Sequence, residues 1–437
     1  MCLFFSETSV NIVKRGLSKP PGKVTEMESR HITKFAVLAW VVMLSSAAPN
    51  AMAENVLLDA IKNGDVKLNL RYRYETVSQD GFAEDANAST LRTRLIYSSQ
   101  KFNGWKLFLE ADNVTEIFSD NFNSGAGTSS TDRNIYPVVA DPNSTEFNQI
   151  YLNYTFNEKA LIRLGRQRIL LDNQRFVGGV GWRQNEQTFD GFSLKSEIGQ
   201  GALFYSFIYN VNRIFGDDVA AGDHDQNTHL INYTWPVNET SNLTIYYYDI
   251  DNHDNATFST RTLGAHFKGN AAFFANRTFN WRLEYAVQDD NGNNPVDYKA
   301  NYFRIDVGYQ PTPEYYIFAG WEVLEGNDEQ VESMFRTPLA TLHLFNGWAD
   351  RFLNTPSTGL KDIFVGANGK TGISNWQVIW HDFQAQSSNL DFGWELDAKI
   401  AFKPSKRTEL LLKAALFKGE SGEPDVTKLW LMLTTNF

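Results

Sequence analysis

Beyond residue 53, polar and apolar residues alternate with a period of two along much of the chain. "VKLNLRYRYETV" (Val66–Val77) sets Val66, Leu68, Leu70, Tyr72 and Tyr74 on one face and Lys67, Asn69, Arg71, Arg73 and Glu75 on the other. "NWRLEYAVQ" (Asn280–Gln288) and "GWELDAKIAF" (Gly393–Phe402) repeat the pattern. Successive strand side chains point to opposite faces, so each segment predicts a strand with one greasy and one wet side. A soluble sandwich also alternates, but its apolar face would be mainly aliphatic. Here aromatic residues crowd the strand ends (Tyr72, Tyr74, Tyr97, Tyr154, Trp281, Phe402), as membrane-interface girdles require. No run of ~18 apolar residues follows residue 53, so a spanning helix is not expected there.

About 18 such segments of ~10 residues can be counted, an even number that suits a bacterial outer-membrane barrel. Their connections alternate in length. Links near Ser78–Ala88, Thr115–Glu146, Leu170–Gln187, Arg213–Asn227 and Leu324–Gly359 are long; those at Lys101–Gly104, Asn157–Lys159, Ile198–Gly201, Val237–Asn242, Pro311–Glu314 and Lys403–Arg407 are short. Long extracellular loops and short periplasmic turns predict this parity. The expected fold is therefore all-β: a closed, transmembrane, antiparallel β-barrel of about 18 strands over residues 54–437. The last strand, "KLWLMLTTNF", ends on Phe437, which resembles the signal read by barrel-assembly machinery.

The amino-terminal region reads differently. Arg30, His31 and Lys34 precede the apolar run "FAVLAWVVMLSSA" (Phe35–Ala47), and "AMA" (Ala51–Ala53) follows it. This is the basic, apolar and small-residue order of a secretory signal. The expectation is a removed leader over residues 1–53, with 1–26 as an upstream segment and 27–53 as the signal. Cys2, the sole cysteine, falls in that leader, which leaves no thiol for disulfides or thiolate chemistry. The leader also takes six of the 40 Lys/Arg and three of the 51 Asp/Glu, moving the net charge from −11 to −14. Such a balance argues against a nucleic-acid partner. Aromatics make up 14% of the chain while mean hydropathy is −0.37, which again fits two-faced strands.

Alternation assigns Lys67, Arg71, Arg73, Arg92, Arg94, Lys106, Arg163, Arg282, Arg304 and Lys399 to the interior. The opposing acids are Glu75, Glu110, Glu284, Asp306, Glu395 and Asp397. Arg71, Arg73, Arg92 and Arg94 lie on the first two strands and should form a ladder, because Glu75 is the only acid there to offset them. A guanidinium stays charged at every physiological pH and pairs with a carboxylate through two hydrogen bonds. The other acids gather in links such as "DDVAAGDHD" (Asp217–Asp225) and "EGNDEQVE" (Glu325–Glu332). "DIDNHDN" (Asp249–Asn255) lacks the spacing of a calcium loop and reads as a solvated turn. Neither a metal nor a cofactor is expected.

"GRQR", "DNQRF" and "GWRQNEQTFDG", all within Leu164–Gly191, together with "TPLATLHLFNGWADRFLNTP" (Thr337–Pro356), resemble the alginate export family of outer-membrane porins. The resemblance extends over nearly the whole chain after the leader. It implies a monomeric barrel of about 18 strands with an arginine-rich lumen passing anionic polysaccharide, embedded among outer-membrane lipid and lipopolysaccharide, with periplasmic export proteins as further partners. It also places Arg166, Arg168, Arg175 and Arg183 at the constriction. The segment Phe335–Pro356 is too apolar for a surface loop and should fold toward the pore. Leu339, Leu342, Leu344, Phe345, Trp348 and Phe352 would pack on the wall, leaving Arg336, His343, Asn346, Asp350 and Arg351 toward the channel. A short helical lid over Leu339–Phe345 is the alternative. For function, the alternatives to polymer passage are uptake of small sugar acids or anions, a closed structural barrel, and an outer-membrane hydrolase, for which His381 is the wall candidate.

Overall fold

The computed structural model describes residues 51–273 and 277–437. A helix, α1 (Ala51–Lys62), precedes eighteen strands. These are β1 (Asp65–Gln79), β2 (Ala86–Ser98), β3 (Trp105–Asn121), β4 (Ser144–Phe156), β5 (Ala160–Gln167), β6 (Thr188–Ile198), β7 (Gly201–Asn212), β8 (Asp223–Asn238) and β9 (Ser241–Ile250). The second half holds β10 (Thr260–Phe273), β11 (Arg277–Asp290), β12 (Lys299–Thr312), β13 (Tyr315–Leu324), β14 (Leu360–Thr371), β15 (Ser374–Gln384), β16 (Asp391–Phe402), β17 (Thr408–Gly419) and β18 (Val426–Asn436). Each strand pairs antiparallel with the next, and β1 pairs with β18 as well as β2, so the sheet closes. Tyr72, for instance, lies opposite Leu91 on one side and Leu433 on the other.

Closure leaves no sheet edge, which is what lets strands cross lipid. The outward positions carry exposed apolar side chains: Leu95, Ile245, Leu263, Leu283, Ile305, Ile317, Trp321, Val365, Trp380, Leu412 and Leu431. The inward positions mix polar and charged residues with apolar ones such as Ile208, Leu230, Tyr302, Phe383 and Phe417, and many are buried beneath loops. Long and short connections alternate around the ring as the spacing predicts. Three links are shorter than expected: Ser78–Ala88 is 80–85, Arg213–Asn227 is 213–222, and Thr115–Glu146 shrinks to 122–143, the last because β3 continues through Phe118 at φ +63 and the register shifts between Ala88 and Thr90.

The chain divides into two units, Met1–Leu58 and Asp59–Phe437, and the barrel is the second. The expected upstream segment 1–26 and the apolar run Phe35–Ala47 lie outside the described residues. α1 begins at Ala51 and runs through the expected cleavage point after Ala53.

The loops 168–187 and 325–359 fold into the barrel. Phe352 packs on Phe383, Phe392 and Phe417 with ring centroids 4.7, 5.5 and 5.9 Å away. Phe176 and Phe335 meet Tyr302 at 5.2 and 5.3 Å. Each such side chain contributes roughly 1.5–3 kcal/mol by leaving water. That gain is why an apolar segment belongs inside a wide barrel. Leu339, Phe345, Trp348 and Phe352 are buried as expected, but Leu344 is 52% exposed. It ends the short 3-10 turn Leu342–Leu344, whose geometry buries His343 in its place.

Candidate functional site in the barrel interior

Arg71 and Arg92 lie directly opposite each other on β1 and β2, with Arg73 and Arg94 one step to either side. Like charges in register repel, so this cluster needs partners. Loop 168–187 supplies them. Arg71 donates to the Gln184 side chain at 2.8 Å, to the Gly181 carbonyl at 3.0 Å and to the Arg183 carbonyl. Arg73 donates to the Trp182 carbonyl at 2.5 Å and stacks on the Trp182 ring at 4.4 Å. Arg92 reaches the Gln184 carbonyl at 3.4 Å. Four consecutive carbonyls, Gly181 to Gln184, are thus captured by three guanidiniums.

The acids expected to be too few come from neighbouring elements. Arg94 grips Asp112 of β3 with two hydrogen bonds of 2.7 and 2.5 Å and meets Glu186 at 2.9 Å. Arg73 pairs with Glu75 at 2.8 Å and with Asp141 at 3.6 Å. All four ladder arginines are buried. An open track of uncompensated guanidiniums is therefore corrected to a covered seat for a loop, because the partners are remote in sequence. Burial opposes ionisation of Glu186, but Arg94, Arg168 and Arg92 outweigh it and hold its carboxyl at about 2.

The other sequence-assigned residues mostly join this scaffold. Arg175 bonds Glu322 (2.8 Å) and Asn346 (2.9 Å), and Arg304 bonds Asp306 (2.9 Å) and Glu322 (3.2 Å). Arg282 pairs with Glu284 at 2.7 Å. Arg168 bridges Glu110 at 2.8 Å and Glu186 at 2.5 Å. Arg351 reaches Glu423 at 2.6 Å, and Arg336 pairs with Glu332. Arg166 is corrected from loop to strand: it lies in β5 and pairs with Asp190 at 2.8 Å. Gly165 adopts φ +117, and a Cβ there would meet the Ile150 carbonyl at 2.3 Å. Alternation nevertheless holds through that glycine: Gln167, bonded to Ser193 at 2.6 Å, keeps the inward parity of Arg163, and Arg166 falls on the opposite parity.

Loop 325–359 is held as firmly. The amides of Trp348 and Ala349 donate to Asp397 (3.1 Å) and Glu395 (2.7 Å) of β16. Asp350 accepts from His343 Nδ1 (2.6 Å), Lys428 Nζ (2.9 Å) and Arg183 (3.1 Å). Lys413 Nζ donates to His343 Nε2 at 2.5 Å and sits 4.0, 3.9 and 5.0 Å from the rings of Trp182, Trp348 and Trp430. His343 is thus a neutral imidazole: burial, aided by Lys413, takes it down to about 3 despite Asp350. The two loops also join each other, with Gly178 N on Leu339 O at 2.8 Å and Thr341 N on Gln174 O at 3.0 Å. His343, Asp350 and Asn346 are therefore load points of the loop rather than side chains open to the channel.

Residues 63–314 match the family described as alginate export. The chain belongs to the alginate export family. The matched span contains "GRQR", "DNQRF" and "GWRQNEQTFDG" but stops before Thr337–Pro356, so the likeness expected over nearly the whole chain is shown for that span. In fold, this alginate export family member is similar to Pseudomonas aeruginosa OccK9 (OpdG), with a TM-score of 0.68 and 15% identity over 86% of this chain and 99% of that one. It is also similar to Acinetobacter baumannii OccAB2, with a TM-score of 0.66 and 16% identity over 87% and 99%. No curated protein matches it in sequence.

Near the short turns the interior of this family member changes character. Lys67, Lys106, Arg163, Lys195, Lys268 and Lys399 lie within six residues of the short-turn ends of β1, β3, β5, β6, β10 and β16. The five lysines are exposed, and among the described residues no carboxylate forms an ion pair with any of the six. Inward acids at this end include Asp65, Glu110, Glu197, Asp306, Asp397 and Glu409; Glu110 is taken by Arg168, Asp306 by Arg304 and Glu409 by Lys403 at 3.0 Å. Lys268, Arg282 and Asp306 line a recess of about 340 Å³ here. Lys195, Lys268, Lys413 and Lys428 were not singled out from sequence. Lys195, Lys268 and Lys428 are each the one lysine of their strand, a signal the sequence carries, whereas Lys413 shares the mostly apolar β17 with Lys418. His381 bonds Asp362 at 2.9 Å inside the wall and supports β14–β15 packing. Among the described residues no cluster of His, Cys, Asp or Glu is arranged to hold a metal.

Proposed function

We propose that the chain is a passive channel of the bacterial outer membrane that carries anionic oligo- or polysaccharide of the alginate type. The observation that carries this reading is the belt of six inward cations near the short turns. Elsewhere the interior charges are mostly paired with the loops or with wall carboxylates, whereas these six have no carboxylate ion pair among the described residues and the five lysines remain exposed to a permeating anion. Contacts of this kind are weak and repeated, which lets a chain of carboxylates enter and also leave. Outer-membrane lipid, lipopolysaccharide and periplasmic export proteins complete the proposed setting, with the barrel acting as a monomer. No catalytic role enters this reading.

The test is planar-bilayer recording of the refolded protein with polyuronate titrated on the short-turn side. Concentration-dependent block or passage of polyuronate is expected, together with an anion-favouring reversal potential. Replacing Lys67, Lys106, Lys268 and Lys399 by Glu should shift that potential toward cations; unchanged selectivity would overturn the proposal. One feature favours a second reading, uptake of small sugar acids. The two inward loops are tied to each other as well as to the wall, so short anions would pass more readily than a polymer. Block by a monomeric uronate without any response to polyuronate would select that reading.

A further inference from the structure

A recess of about 270 Å³ opens on the inward face of β3–β6, lined by Phe108, Gln149, Tyr151, Arg163, Arg168, Leu170 and Lys195. Three of these are cations and none is an acid, unlike the recess across the barrel, where Asp306 is present. Arg168 is neutralised by Glu110 and Glu186, but Arg163 and Lys195 are not paired with any described carboxylate. Arg163 is also pre-set. Its guanidinium sits over Tyr151, 4.0 Å from the ring centroid, and Tyr151 stacks in turn on Phe108 at 4.8 Å and 11°. Its Nε donates to Asn153 at 2.9 Å, and its terminal nitrogens make no hydrogen bond to described residues. A guanidinium held by stacking and by one bond through Nε keeps the opposite edge ready for a planar anion.

Apart from Gln149, whose amide is bonded to Glu110 at 3.1 Å and to the Arg168 backbone N–H at 3.0 Å, the remaining lining is Phe108 and Leu170. Leu170 is 49% exposed although it belongs to an inward loop, and Phe108 is only half-buried. An inorganic anion has no use for such a floor, whereas a sugar ring presents a C–H face beside its polar groups. The volume falls below the roughly 300–1,000 Å³ of sites for larger ligands, which limits the occupant to about one ring. We propose that this recess is a binding subsite for a single hexuronate unit, with its carboxylate on Arg163 and Lys195 and its C–H face against Phe108 and Leu170. The proposal deepens the anion-channel reading and rests on it. The unit is either a free sugar acid or one residue of a chain, since the same groups recognise both.

Calorimetric titration of the detergent-solubilised protein tests the subsite apart from transport. Glucuronate and a short oligouronate are the ligands; glucose and sulfate are the controls. Binding of at least one uronate is expected, weakened tenfold or more by Arg163→Gln with Lys195→Gln. Arg163→Lys should weaken it as well, because lysine keeps the charge but loses the fork. Leu170→Asn lies on a half-exposed loop position and should lower uronate affinity while leaving any sulfate binding unchanged. Response to glucuronate identifies a free acid as occupant, and response to the oligomer alone identifies a chain residue. Uronate affinity unaltered by Arg163→Gln and Lys195→Gln, or sulfate bound as tightly as glucuronate, would overturn the subsite. Failure of the channel reading shows separately, as absence of any uronate effect on bilayer current.

Discussion

Burial decides the state of His343, and that state has a pH signature. With its pKa near 3 when docked and near 6.5 when released, the released form binds more protons between those values. Docking of loop 325–359 is therefore complete at neutral pH and weakens as pH falls below about 6.5. Glu186 acts in the same direction but lower, its contribution being present above 4.5 and lost toward 2. Protease cleavage within 325–359 should rise between pH 7 and pH 4 in the intact barrel, and His343→Gln should flatten the upper part of that rise. A pH-independent cleavage rate would contradict the neutral imidazole. Arg71 offers a second test. Its bonds to Gln184, Gly181 and Arg183 are charge-assisted, each contributing about 1.5–3 kcal/mol. Arg71→Met should expose loop 168–187 to protease while strands remain folded, detected by a barrel that still migrates as a compact species without boiling.

Among the elements, the strands were legible from sequence and the partners of the loops were not. Period-two patterning is local, so "VKLNLRYRYETV" and "GWELDAKIAF" declare both strand and inward face from within themselves. Arg166 was misplaced because the resemblance assigned it to a constriction loop, whereas β5 extends to Gln167 and takes Arg166 into the wall. The arginine ladder was visible as four cations, but its purpose depended on Gly181–Gln184, about 110 residues from Arg71. Inward folding of 335–356 could be reasoned from its apolar content; the aromatic contacts of Lys413 with Trp182, Trp348 and Trp430 join three separate elements and leave no local trace. Deleting 337–356 removes most contacts between the two loops. Single-channel conductance should increase at least severalfold and become noisier as 168–187 loses its bonds to Leu339 and Thr341. Unchanged conductance would mean that the current path avoids this loop.

At the scale of the whole molecule, a negative net charge coexists with a cationic interior near the short turns because the acids lie in outer links or in loop-to-wall pairs. The belt lysines are exposed, so their influence should be screened as salt rises. Anion preference should be strong at 0.1 M salt, where the screening length is about 10 Å, and much reduced at 1 M, where it is about 3 Å. Selectivity insensitive to salt would point instead to a narrow dehydrating filter.

Where β1 meets β18, the first and last strands become neighbours, and both inward loops fasten across that junction. Asp350 takes Lys428 from the last strand, while Arg183 links Asp350 to Glu75 of the first. An incompletely zipped ring cannot present these groups together, so narrowing of the passage and sealing of the wall become a single event. A half-inserted intermediate would consequently leak before it could discriminate, and the mature conductance would report that assembly has finished.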